Sequence, residues 1–362
     1  MKEIKEILNR VSALTADKRA VLATVIDVRG SGYRLPGARM LILENGHHFG
    51  TVSGGCLEAD VLERAKKVLA TGDPDLFTYD TTGDENSVFS MNMGCRGVIR
   101  ILLEPVTRES PIIQRLSKAS KDRSREVLAT CIAAPAGSGS KIGSRKWLGD
   151  TGTTAGDDLM DALSQFAASG CSYEMAQLDT SGGMLEYAFE AIEPPTALLV
   201  FGAGADAVPL SNLAAELGWH VAVHDHRPAY LTNLRFPTAE KLALQLADEP
   251  PDLSYTDART AGVVMTHNYG RDRLILPALL SSNVFYVGAL GPKTRTEQLL
   301  REIDGELTDQ QLSRLYAPIG LDIGAATPET IALSIVAEIQ SVLADRDGGH
   351  LRSRRGSIYD RK

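Results

Sequence analysis

The run Ala197-Leu198-Leu199-Val200-Phe201, followed at once by Gly202-Ala203-Gly204-Ala205-Asp206-Ala207, constrains this chain more than any other stretch. Five apolar residues in a row suit a strand buried on both faces, as in a parallel sheet. The glycines permit a sharp turn and a close backbone approach, and Leu210, Leu213, Ala214 and Leu217 then recur at helical spacing. Gly-x-Gly-x-x-Ala between a strand and a helix is a form of the dinucleotide-binding fingerprint. A second strand over 221–223 ends at His224-Asp225, roughly 20 residues beyond the first glycine, where a carboxylate commonly takes a ribose hydroxyl. Strands at 262–266 and 285–289 alternate with helices at 272–280 and 294–302, which predicts a doubly wound, Rossmann-like parallel sheet. Gly202, Gly204 and Asp225 are therefore the candidates for holding NAD(P). Asp206 places a negative charge in the phosphate loop, so that binding is expected to be weak. His267, on the loop after a sheet strand, is the candidate acid or base.

The preceding half follows a different rule. A helix carrying Ile4, Ile7, Leu8, Val11 and Leu14 leads to a strand over 20–28 and then to Arg29-Gly30-Ser31-Gly32-Tyr33-Arg34-Leu35-Pro36-Gly37-Ala38-Arg39. Several guanidinium forks in one glycine-rich loop suit an oxyanion, with Arg34 and Arg39 as candidates. A hairpin around Asn45-Gly46 delivers the chain to Ser53-Gly54-Gly55-Cys56, with a helix predicted to begin at Cys56. First-turn N–H groups lack helical partners, so an anion fits at Gly54 and Gly55, and a thiol in such a place is favoured as the thiolate. Cys95, between Gly94 and Arg96, is a second glycine-flanked cysteine at a strand end. Strands at 126–134, 141–144 and 185–192 and a helix at 157–168 complete a mixed α+β domain. Pro194-Pro195 marks its boundary. The domains expected are 1–193, 196–345, and a basic tail over 346–362.

Composition narrows the partners. With 362 residues and a net charge of −8, the chain has room for two cores and is not built to bind nucleic acid or an anionic membrane. Its four cysteines, Cys56, Cys95, Cys131 and Cys171, show no CxxC spacing, which argues against a zinc ribbon, an iron–sulfur site or a disulfide framework. A reducing, cytoplasmic setting is expected, since the charged amphipathic start does not read as a signal peptide.

Taken together, Arg34-x-Pro36-Gly37-Ala38-Arg39, Ser53-Gly54-Gly55-Cys56-Leu57-Glu58, Gly94-Cys95, Gly202-Ala203-Gly204, Thr266-His267 and Pro318-Ile319-Gly320-Leu321-Asp322-Ile323-Gly324 resemble the XdhC family. These are maturation factors of xanthine and carbon monoxide dehydrogenases. The resemblance implies a chaperone that binds molybdenum cofactor and holds it while a cysteine desulfurase installs the terminal sulfide. It then delivers the cofactor to a xanthine dehydrogenase-type molybdenum hydroxylase. Cys56 and Cys95 would lie near the molybdenum or its sulfur, with Ser53, Gly54, Gly55 and the Arg34–Arg39 loop around them. A homodimer is expected on the frequency of two-fold assemblies. The competing reading is an NAD(P)-dependent oxidoreductase that uses His267 as its proton donor.

Overall fold

The computed structural model describes all residues except 1, 16–17, 31, 81–96, 151–156, 181–182, 247, 304–306, 356–357 and 359–362. Cys95, with Gly94 and Arg96, lies outside the described residues. Two compact units divide the chain between Pro194 and Pro195.

In order, the first unit carries α1 (Lys2–Ser12), β1 (Ala20–Gly30), β2 (Arg39–Leu43), β3 (His48–Gly50), α2 (Glu58–Thr71), β4 (Asp75–Asp80) and β5 (Gly97–Val106). It continues with α3 (Pro111–Lys121), β6 (Glu126–Ala133), β7 (Arg145–Trp147), α4 (Asp157–Ser169), β8 (Tyr173–Thr180) and β9 (Gly183–Ile192). These strands form a five-stranded sheet, β3-β2-β1-β5-β4, and a four-stranded one, β7-β6-β9-β8, with antiparallel pairing throughout both. On the first sheet, Val21, Ala23, Val25, Met40 and Ile42 meet Leu57, Val61, Ala65 and Val68 of the α2 region. Ile26 and Leu102 of this sheet meet Ile132 and Ala188 of the second. Because β1 is covered on both faces, residues 20–28 are all buried, and the strand shows no apolar–polar alternation. Arginine–glutamate pairs also cross between the sheets: Arg39–Glu190 at 2.7 Å, Arg100–Glu186 at 2.9 Å, and Arg145 doubly bonded to Glu104. Several details differ from the sequence reading, the unread helix α3 among them. α2 starts at Glu58, two residues after Cys56, because the Gly54 and Gly55 backbones are left-handed. Residues 141–144 form a turn and the return strand is β7, since Gly143 also has positive φ. β8, with its mostly half-exposed face, carries too weak a pattern to be read from the sequence.

The second unit contains β10 (Ala197–Phe201), α5 (Ala207–Glu216), β11 (His220–Asp225), β12 (Lys241–Leu244), β13 (Thr260–Val264), α6 (Tyr269–Ser281) and β14 (Tyr286–Ala289). α7 (Lys293–Arg301), α8 (Asp309–Leu312), β15 (Leu315–Tyr316) and α9 (Pro328–Leu343) follow. Its six strands are parallel in the order β12-β11-β10-β13-β14-β15. The order reverses between β10 and β13, which is where a doubly wound sheet opens its ligand crevice. α5 and α9 cover one face with Leu210, Ala214, Ile335 and Ile339, and α6 covers the other with Ile275, Leu276 and Leu279. The Pro318–Gly324 segment is held to α9: the Gly320 N–H donates to Glu338 Oε2 at 2.9 Å, and the Ser334 hydroxyl donates to Leu321 O at 2.6 Å.

Candidate functional site

In the first unit, the hairpin of β2 and β3 brings the chain to Thr51, and the next six residues form a loop closed by the first residue of α2. Glu58 turns its carboxylate back into that loop. Oε1 accepts from the N–H groups of Val52, Ser53 and Gly54 at 3.2, 2.9 and 3.2 Å, and from the Thr51 hydroxyl. Oε2 accepts from Gly55 N–H at 2.8 Å and from the Ser53 hydroxyl. Burial alone would raise the Glu58 pKa, but the hydroxyls of Ser53 and Thr51 and the Ser53 amide outweigh it and bring the group to about 2. The start of α2 favours the same charge. The anion expected at Gly54 and Gly55 is therefore the chain's own glutamate. A side chain at Gly54 is excluded twice over, because its φ is +86° and a Cβ there would stand 2.6 Å from the Tyr33 ring.

Cys56 sits on this clamped loop with its side chain exposed. The amides on both sides of it are fixed: Gly55 N–H on Glu58, and Leu57 N–H on the Ser53 hydroxyl at 2.8 Å. Leu57 itself is buried in the α2 core, so the backbone is anchored immediately after the thiol points outward. The other described cysteines differ. Cys131 is buried in the middle of β6, and burial raises its pKa, whereas Cys171 is half-buried. Among the described residues no three His, Cys, Asp or Glu side chains gather into a metal site.

The arginine loop is not open to an anion in the way its sequence suggests. Arg39 is only 2% exposed. Its guanidinium is committed to Glu190 Oε2 and Gly37 O, at 2.7 and 2.9 Å, so it is a core residue of β2. The pairing that consumes it lies on β9, far away in sequence. Arg34 donates to Glu3 Oε2 at 2.6 Å and is partly exposed. What this loop contributes beside Cys56 is Tyr33, 62% exposed, with its ring against Gly54.

In the second unit, the structure brings Gly202, Gly204, Asp206, Asp225 and His267 to one end of the parallel sheet. Gly202 has φ +119°, and a Cβ there would stand 2.3 Å from Met265 O, so only glycine lets the β10 turn pass β13. Asp225 is almost fully buried. Its Oδ2 accepts from Ala203 N–H at 2.7 Å and Arg227 Nη2 at 2.9 Å, while Oδ1 accepts from Arg227 N–H and Nε at 2.8 and 3.0 Å. Burial raises its pKa, yet the Arg227 side chain and the Ala203 and Arg227 amides hold it well below the usual carboxylate range. His267, with φ +56°, places Nε2 3.3 Å from Asp206 Oδ2 and its ring beside Gly204.

Sequence reasoning missed Glu58 and Arg227 as the closing residues of these two loops. It also missed Arg271 in the first turn of α6, 4% exposed, whose Nη1 has no hydrogen-bond partner among the described residues. An acidic residue in the first helical turn after a glycine pair was the available signal for Glu58.

An α+β unit of two antiparallel sheets that presents, among the described residues, an exposed thiol, followed by a Rossmann unit whose glycine loop is latched by its own aspartate, defines a class of two-unit α/β protein. Residues 198–339 match the XdhC Rossmann domain and residues 13–80 match the XdhC and CoxI family. The chain belongs to that family. It is 36% identical to a probable xanthine dehydrogenase subunit from Bacillus subtilis over 91% of this chain and 95% of that protein. It is 25% identical to the molybdenum cofactor insertion chaperone PaoD of Escherichia coli over 92% and 86% of the two chains. A crystal structure of a xanthine dehydrogenase from Bacillus halodurans superposes with a TM-score of 0.74 at 28% identity, covering 96% of this chain and 97% of that one. Among the described residues no helix is long and apolar enough to cross a membrane.

Proposed function

We propose that this protein is a maturation chaperone that binds molybdenum cofactor, holds it during sulfuration by a cysteine desulfurase, and delivers it to a xanthine dehydrogenase-type molybdenum hydroxylase. The observation that carries the reading is the exposed Cys56 on a loop pinned at both neighbouring amides. The similarity to a molybdenum cofactor insertion chaperone supports it. A thiolate suits a thiophilic metal centre or its sulfur, so Cys56, and Cys95 outside the described residues, are the side chains proposed to meet the cofactor. When bound, the cofactor would supply the molybdenum centre and the desulfurase its terminal sulfide; this chain's residues supply a fixed thiol. The cofactor's phosphate does not fit the glycine nest, which Glu58 occupies, nor Arg39, which Glu190 occupies. A cytoplasmic homodimer belongs to the same proposal.

A second reading concerns the Rossmann unit alone. His267 over Gly204, paired with Asp206, is the arrangement that favours it. On this reading Gly202 and Gly204 hold NAD(P) weakly. His267 is the acid or base of an oxidoreductase, and Asp225 is the ribose contact only where a hydroxyl displaces one of its protein donors. Molybdenum and pterin analysis of the protein co-expressed with cofactor biosynthesis separates the two. Retained cofactor supports the chaperone, whereas hydride transfer to NAD(P) without cofactor retention supports the oxidoreductase.

A further inference from the structure

We infer that Glu58 is the positioning residue for Cys56: its carboxylate replaces a bound anion in the Ser53-Gly54-Gly55 nest and so fixes the loop in the shape that presents the thiol. The inference rests on the reading that Cys56 meets the cofactor. Both oxygens of Glu58 are needed for the clamp. Oε1 gathers three amides and the Thr51 hydroxyl, while Oε2 serves Gly55 N–H and the Ser53 hydroxyl. The second set is the one that reaches the residues on either side of Cys56. Gly55 N–H is the amide before the thiol residue, and Ser53 Oγ accepts from the amide after it. The clamp therefore runs from Glu58 to Cys56 along two short paths, one direct and one through Ser53. The nest is filled without any ligand, so the loop does not wait for a phosphate to order it.

Glutamine cannot substitute for Glu58. Whichever way its amide is turned, an NH2 group faces either Gly55 N–H or the three amides at Oε1, and a donor then meets a donor. Glu58→Gln is thus the sharpest test, with Asp60→Asn as its control. Asp60 is on the same helix and holds the Tyr79 hydroxyl and Arg64, without touching the loop. The measurements are hydrogen exchange at residues 53–57, iodoacetamide labelling of the Cys56 peptide by mass spectrometry, and molybdenum retained after co-expression. All are made at 25 °C on the full chain.

In Glu58→Gln, amide exchange over 53–57 is expected to rise at least tenfold, Cys56 labelling at least threefold, and molybdenum retention to fall at least fivefold. Asp60→Asn should stay near wild type on all three. The inference is overturned if exchange and labelling in Glu58→Gln match wild type, or if both rise while molybdenum is retained in full. It is also overturned if Asp60→Asn loses as much molybdenum, since the effect would then come from loosening α2 as a whole. Full retention in Cys56→Ala, with the Glu58→Gln loop effects as expected, would remove the cofactor reading while leaving the clamp in place.

Discussion

Two glycine-rich loops, one in each unit, have the same internal solution and opposite consequences. In the first, Glu58 fills the nest formed by residues 52–55, and in the second, Asp225 takes the Ala203 N–H of the Gly202 loop. Each carboxylate is charged, buried, and held below its ordinary pKa by the hydrogen bonds it accepts. Around Cys56 the closure leaves an exposed thiol outside. Around Gly202 it draws Arg227 inward onto the same carboxylate, and the outer position is taken by the His267–Asp206 pair. A glycine loop is thus not by itself a vacant anion site; what matters is whether the chain supplies its own anion.

The largest effect should follow from opening the second loop. Asp225→Ala leaves the buried Ala203 amide and the partly exposed Arg227 guanidinium without their acceptor, at a cost of about 3 kcal/mol. A calorimetric scan should show the Rossmann unit melting earlier; an unchanged transition would mean that the loop is held by packing alone. Glu58→Ala removes an acceptor shared by four amides, for about 2 kcal/mol in the first unit. Denaturant unfolding followed near Trp147 should register that loss. If Glu58→Ala proves costlier than Asp225→Ala, the ranking of the two closures is reversed.

Acid tests the closures in another way. Glu58 titrates at about 2 in the folded chain against 4.5 for an ordinary glutamate. Its stabilisation is thus complete above pH about 4.5 and is lost as pH falls toward 2. Asp225 is likewise held well below the usual carboxylate range, so its contribution too is lost only as pH falls below that range. Amide exchange should rise at residues 52–55 as pH falls from about 4.5 toward 2, and exchange there that stays unchanged over this range would contradict the Glu58 closure. The smallest effect is expected from Asp206→Asn. On the nucleotide-binding reading, removing this partly buried charge from the mouth of the phosphate loop should tighten NAD(P) binding about fivefold, equivalent to roughly 1 kcal/mol. Calorimetry showing no gain would take Asp206 away from the nucleotide.

The Rossmann unit was legible because its signals are local: an apolar strand, a glycine turn, a helical repeat and an aspartate at the next strand end lie within about 30 residues. Cys56 was legible for the same reason. The closures were not. Asp225 reads as a ribose contact because its bond to Ala203 depends on how β11 lies beside β10. Arg39 looks like an anion ligand because Glu190, which neutralises it, is on a strand of another sheet. Long-range pairing decides which charges are free, and spacing along the chain carries little of that information.

The most direct test of the Cys56 assignment is molybdenum and pterin content of Cys56→Ala, co-expressed with cofactor biosynthesis and purified beside Cys131→Ala. Cys56 is exposed, so its loss should leave the melting temperature within about 2 °C of wild type while cofactor retention falls at least tenfold. Cys131 is buried, so its truncation should lower stability by about 1–2 kcal/mol and leave cofactor per folded protein unchanged. Full retention in Cys56→Ala would show that the exposed thiol does not hold the cofactor.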